Sequence, residues 1–155
     1  MSVEQKLKSL GFKLPEAAKP AGKYVPAVKV TSGTLVFSSG QIPIVEGEVK
    51  YRGKVGKDLT LEEGRKAAEI CSLNCLAAIK TKIGSLDKIE RIVKVSGFVS
   101  SAPGFNQQPQ VVDGASELFL KIFGVNGEHA RSAIGVNELP LNVPVEIEIV
   151  VKVKE

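Results

Sequence analysis

The order of elements predicts an α+β fold: a mixed five- to six-stranded sheet with two main helices on one face, preceded by a short N-terminal helix. Three observations lead there. In the last stretch, Val145, Ile147, Ile149, Val151 and Val153 are all apolar while Glu146, Glu148, Lys152 and Lys154 alternate with them, the period of a strand with one buried face. Two earlier segments carry apolar or small residues at helical spacing and stop at Gly84 and Gly124. Runs rich in β-branched residues stand before, between and after those helices. Two helices cover one face of such a sheet and leave the other bare. Because the bare face still carries apolar residues, burial between subunits is expected, and with it a homo-oligomer.

The elements follow in order. Ser2 with Gln5 makes a capping-box pattern, Val3, Leu7 and Leu10 share a helical face, and Gly11 ends this leading helix. A linker, "LPEAAKPAGK", leads into residues 24–56, where "TSGT" and "VEGE" are hairpin signals among about three strands. Thr60 and Glu63 form a second capping box, after which Gly64, Ala67, Ala68, Cys71, Cys75 and Ile79 make a stripe small enough for close packing on a sheet. "IERIVKVSGFVSSA" reads as a central strand, with Gly97 a bulge or a point of close approach. The next helix runs from about Pro109 to Gly124 with Val111, Val112, Ala115, Leu118, Phe119 and Ile122 inward. Two strands close the chain, about Ala130 to Val136 and Val143 to Lys152.

The 155 residues have the length of one domain, with an N-terminal helix and linker over 1–23 and a core over 24–153. Apolar residues at 43% and charged residues at 25% exclude a disordered or fibrous chain. No apolar run approaches the roughly 18 residues that span a bilayer, and the N-terminus lacks the apolar core of a signal peptide. A cytoplasmic protein is expected. The net charge of +4 comes from scattered lysines, with few aromatics to stack on bases, which argues against nucleic acid as the partner. Cys71 and Cys75 fall on one helical stripe, and with a single histidine in the chain a metal site lacks ligands. They read as small core residues in a reducing compartment, and no cofactor is called for.

Arg131 stands out. Its same-face neighbours are Ala133 and Gly135, in a region built to be buried. If the last two strands pair as a hairpin through "NELPLN", an odd register puts Arg131 on the face of Glu146 and Glu148. A guanidinium matches a carboxylate bidentately, and small neighbours leave room for a ligand that brings one. The bland alternative is that Arg131 pairs with a glutamate of the next strand and does nothing more. Tyr24, Ser39, Asp113 and Ser132 add hydroxyls and a carboxylate without forming a recognisable catalytic pattern, and His129, in a "GEHA" loop, is expected to be solvated. From the residues alone, the reading stops at a small-carboxylate site near Arg131.

Several stretches are similar to one family, the reactive intermediate deaminases, also known as YjgF-like or endoribonuclease L-PSP proteins. They are "FSSGQIP" from Phe37, the acidic turn "VEGEV", the helix start "TLEEGRKAA" and above all "ARSAIGVNELPLNVPVEIE" from Ala130 to Glu148. The leading helix and "SAPGFNQQPQVVDGASELF" resemble the longer branch of that family. The resemblance implies a chorismate-mutase-like fold assembled as a homotrimer, with a site in each cleft between subunits. It implies that Arg131 holds a substrate carboxylate, that Glu146 places a hydrolytic water, and that Tyr24, Ser39 and Asp113 line the cleft with Ala133. Two positions depart from the pattern: Ala133 stands where many members have cysteine, and Asp113 where the archetype has asparagine. The second adds a negative charge near an anionic substrate.

Hydrolysis of reactive enamine or imine acids to 2-keto acids and ammonia is the leading function, since orienting one carboxylate and one water suffices for substrates that already hydrolyse in water. A trimer that binds a small carboxylate metabolite without chemistry is the alternative, and it has no use for Glu146. Ribonuclease action ranks last.

Overall fold

The computed structural model describes residues 32–154. The expected leading helix and Tyr24 lie outside them. Four strands make one mixed sheet in the order β1-β6-β4-β5: β1 (Thr34–Phe37), β4 (Ile89–Ser100), β5 (Ala130–Val136) and β6 (Val145–Val153). β4 runs parallel to β5 and antiparallel to β6, and β6 runs antiparallel to β1. β2 (Ile44–Val45) and β3 (Glu48–Val49) form a separate small hairpin. Its turn residues, Glu46 and Gly47, have φ of 53° and 81°, the two positive values a twist-matched two-residue turn requires. The five- to six-stranded sheet of the sequence reading is thus, among the described residues, six strands divided four and two.

Both main helices begin and end where their signals stand. In α1 (Leu61–Ile83) the Glu63 amide donates to Thr60 Oγ1 at 3.2 Å and the Thr60 amide to Glu63 Oε2 at 2.8 Å, closing the capping box. Gly84, at φ 83°, ends the helix and donates its N–H to the Lys80 carbonyl at 2.8 Å. α2 (Gln108–Phe123) stops at Gly124. Ile122, expected inward, is 48% exposed. The buried stripe advances by four residues through Val111, Ala115 and Phe119 to Phe123, which packs on the core, so Ile122 falls to the outer side.

Register fixes the faces of the sheet. Residues opposite one another share a face, so Val95, Arg131 and Ile149 lie together, as do Gly97, Ala133 and Ile147. This is the helix-covered face. Ile92, Val95 and Val99 of β4 and all five odd apolar positions of β6 are buried there against Ala67, Ala68, Cys71, Cys75, Val112 and Phe119. Gly97 is a close approach and not a bulge: a Cβ there would meet Val112 Cγ2 at 2.5 Å, while the register shifts of β4 fall earlier, between Ile89 and Arg91 and between Ile92 and Lys94. Cys71 and Cys75 are unpaired in disulfide terms and wholly buried, and their thiols donate to the Val145 and Ile147 carbonyls at 3.4 and 3.1 Å. Burial pushes both thiols up, Cys75 to about 12, which leaves them as core residues without nucleophilic character.

On the other face, Leu35, Phe37 and Ile134 are 40%, 68% and 48% exposed, beside half-buried Phe98 and Val150. No helix among the described residues is long and apolar enough to cross a membrane.

Candidate functional site

The hairpin expected between the last two strands does not form, because β4 lies between β5 and β6. The consequence for the site is large. Arg131 registers with Val95 and Ile149 on the helix-covered face, whereas Glu146 registers with Phe98 on the opposite one. Two strand spacings across and three residues along separate their Cα atoms by on the order of 14 Å, and the sheet itself lies between their side chains. Neither Glu146 nor Glu148 is therefore the partner of Arg131.

That partner is Asp113. The Arg131 side chain is 2% exposed and points to α2, where Nη1 donates to Asp113 Oδ1 at 2.7 Å and to Ser116 Oγ at 3.1 Å. Asp113 and Ser116 are three positions apart in α2 and so face the same way. Ser116 is wholly buried and lies 2.9 Å from His129 Nε2; the opposite ring nitrogen, Nδ1, is 2.6 Å from the Gly127 carbonyl. His129 is also wholly buried, with Phe119 edge-on at a centroid distance of 6.0 Å, in place of the solvated loop residue expected. Burial, more than the nearby charges of Arg131 and Lys94, lowers its pKa to about 4, against the raising effect of the Gly127 carbonyl.

Those positions dictate the protons. A carbonyl only accepts, so Nδ1 carries the hydrogen of the neutral ring and Nε2 is an acceptor. The Ser116 hydroxyl must then donate to Nε2, which turns a lone pair of its oxygen toward Arg131 Nη1. Every group from Gly127 to Asp113 is satisfied in one direction, as burial demands.

The room foreseen beside Arg131 is partly filled. A Cβ on Gly135 would sit 2.6 Å from Gln108 Nε2, which donates to Ser101 Oγ at 3.1 Å and to the Phe105 carbonyl at 2.7 Å. Gln108 therefore occupies the space that the missing side chain leaves. Ala133 is half-buried and packs on the core.

Glu146 has a different setting. β1 leaves β6 through a bulge: the Ser38 amide bonds to the Ile149 carbonyl at 2.9 Å, and Gln41 and Ile147 then exchange bonds of 2.8 and 3.0 Å, with Ser39 and Gly40 looped out between. The Glu146 carboxylate lies on Gly40, where any Cβ would overlap Oε1. It is half-buried and accepts no hydrogen bond among the described residues. Ser39 is exposed, and its carbonyl accepts from Gln41 Nε2 at 3.2 Å. Beyond Gly40 a groove of about 420 Å³ runs between the 40–44 segment and α1, with Asn74 bonded to the Ile42 and Ile44 carbonyls at 2.9 and 3.0 Å. Ser132, on the face opposite the helices, accepts from Lys94 Nζ at 2.9 Å. Among the described residues, no cluster of three His, Cys, Asp or Glu could hold a metal.

Of the residues singled out in the sequence, the structure joins Arg131 to Asp113 on one face and sets Glu146 near Ser39 on the other. It adds Ser116, His129 and Gly40. Ser116 was detectable as the residue one helical turn from Asp113; the burial of His129 had no local signal.

Comparison with known proteins agrees with this architecture. Residues 4–152 match the family model described as "YjgF/chorismate_mutase-like, putative endoribonuclease". The chain is 41% identical to the protein TCP17 of Trypanosoma cruzi over 97% of its own length and 93% of the relative's. It is 33% identical to a 2-iminobutanoate/2-iminopropanoate deaminase of Dermatophagoides farinae, over 90% and 93%. A crystal structure of an Agrobacterium tumefaciens protein of unknown function superposes with a TM-score of 0.77 at 43% identity, over 97% of this chain and 92% of that one. The helix-backed mixed sheet is a YjgF/chorismate-mutase-like fold, and the chain belongs to the YjgF/RutC-like family.

Proposed function

We propose that the protein is a cytoplasmic hydrolytic deaminase of reactive enamine or imine acids, working at clefts between the subunits of a homotrimer. The observation that carries the reading is Glu146: a half-buried carboxylate seated on the bare backbone of Gly40, with no protein donor among the described residues, is suited to hold and polarise a water. The kinship with a 2-iminobutanoate/2-iminopropanoate deaminase supplies the reaction class. Arg131 is the carboxylate anchor in this reading. Water attacks the imine carbon, the C–N bond of the resulting adduct breaks, and ammonia leaves behind a 2-keto acid.

The opposite-face placement supports the intersubunit cleft. One chain cannot bring Arg131 and Glu146 onto one small substrate, but β5 is an edge strand of the described sheet, where a neighbour can complete the site. The second reading is a binding trimer without chemistry; Asp113, which already compensates the Arg131 charge at 2.7 Å, weighs on both readings alike, since each needs Arg131 to take a ligand carboxylate. The two separate by experiment. For the deaminase, Glu146→Gln should lower 2-iminopropionate turnover by a factor of roughly 10² or more, the span of general-base catalysis, and leave 2-ketobutyrate binding nearly unchanged. Arg131→Lys should weaken that binding, since an ammonium lacks the planar fork. Breakdown of 2-iminopropionate no faster with the protein than without it would discard the deaminase.

A further inference from the structure

We infer that Ser116 and His129 are positioning residues for Arg131, forming a buried hydrogen-bonded relay that fixes one end of the guanidinium. The inference rests on Arg131 being the carboxylate anchor, as proposed above. Its basis is geometric. Nη1 is shared by two acceptors on α2, Asp113 Oδ1 at 2.7 Å and Ser116 Oγ at 3.1 Å. Asp113 can only accept, but a serine hydroxyl that accepts from a guanidinium also has a hydrogen to place, and in a helix that hydrogen can turn to the carbonyl four residues back, as Ser72 Oγ does to Ala68 at 2.8 Å. His129 Nε2 takes the Ser116 hydrogen at 2.9 Å instead, which sets the hydroxyl with a lone pair toward Arg131 Nη1. The ring is kept in that tautomer by the Gly127 carbonyl at 2.6 Å on its other nitrogen.

The relay spans three separate pieces of chain: the 127–129 segment ahead of β5, the middle of α2 and the start of strand β5. His129 and Ser116 are each wholly buried, so solvent does not offer a substitute acceptor. Gly127 packs closely on α2, since a Cβ there would overlap the Phe119 carbonyl. The segment that carries the tautomer-setting carbonyl is thereby packed directly on the helix that carries Ser116.

The test uses the full chain and 2-ketobutyrate as probe, with calorimetric binding and 2-iminopropionate kinetics beside the ¹⁵N resonances of the His129 ring and the Arg131 guanidinium. Ser116→Ala should weaken 2-ketobutyrate binding roughly three- to tenfold, raise KM by a similar factor with kcat little changed, and speed rotation of the Arg131 guanidinium. His129→Leu should do the same. His129→Gln, which keeps an acceptor near the Nε2 position, should recover most of the affinity. A parent that binds, together with Ser116→Ala and His129→Leu variants that fold and bind equally well, overturns the relay. A parent that binds no 2-ketobutyrate while its His129 ring still shows the Nδ1–H tautomer overturns the anchor reading instead, and with it any positioning role.

Discussion

His129 gives the clearest consequence of a single residue's surroundings. Its pKa is about 4 in the folded chain against about 6.5 when exposed, so between those values the unfolded chain binds a proton that the native one refuses. The stabilisation is complete above about pH 6.5, declines as pH falls and levels off below about 4; two and a half pH units correspond to about 3 kcal/mol. Urea midpoints of the parent should therefore drop more steeply from pH 7.5 to 4.5 than those of His129→Gln, which has nothing to titrate. Parallel profiles would mean that the ring is not held neutral. This residue also marks where sequence reading ends at the residue scale. Arg131 was legible because a permanent cation beside Ala133 and Gly135 is anomalous in any register. Asp113 was flagged for its charge, but the burial of His129 comes from the packing of residues 127–129 on α2, and no local pattern encodes that.

At the scale of elements, boundaries were more legible than pairings. Capping boxes and terminal glycines are chemistry within one turn of chain, so α1 and α2 could be delimited from sequence, and β5 was placed to the residue. The neighbour of β5 could not be read from its flanks. "NELPLN" has the composition of a turn, and Leu141 and Asn142 do turn the chain at φ of 57° and 58°, but on an excursion that joins two strands not paired with each other. The better signal lay elsewhere: a strand, a helix and a strand in succession make a crossover that sets β5 parallel to β4, which leaves β6 the other side of β4. Packing of the elements carries its own test. At Gly97 a new Cβ would meet Val112 side-chain atoms at 2.5 and 2.8 Å, which can shift; at Gly114 it would overlap the Arg65 carbonyl oxygen of α1, which is backbone. Gly97→Ala should cost about 1–3 kcal/mol, the range for overpacking. Gly114→Ala, although alanine is favoured by about 1 kcal/mol in an open helix, should cost more than Gly97→Ala because two helix backbones must separate. Chemical denaturation of both variants checks the order, and a neutral Gly114→Ala would show that the helices are not in the contact described.

For the whole molecule, the decisive matter is how two residues on opposite faces of one sheet could serve one substrate. Phe37 at 68% exposure, with Leu35 and Ile134 at 40% and 48%, leaves an apolar surface on the Glu146 side that a neighbouring copy would cover. Sedimentation should show a trimer at micromolar concentration. A trimer alone does not say which chains supply a site, but mixing two dead variants does. Arg131→Ala subunits keep Glu146, and Glu146→Gln subunits keep Arg131. If each site takes Arg131 from one chain and Glu146 from the next, random reassembly of equal amounts leaves about a quarter of the sites with both groups intact. Turnover of 2-iminopropionate should then rise from the residual rate of either variant to about a quarter of the parent's. If both groups came from one chain, every site in the mixture would lack one of them and no turnover would return. The sheet's geometry predicts recovery, and a mixture as inactive as its components would remove the shared cleft while leaving the fold untouched.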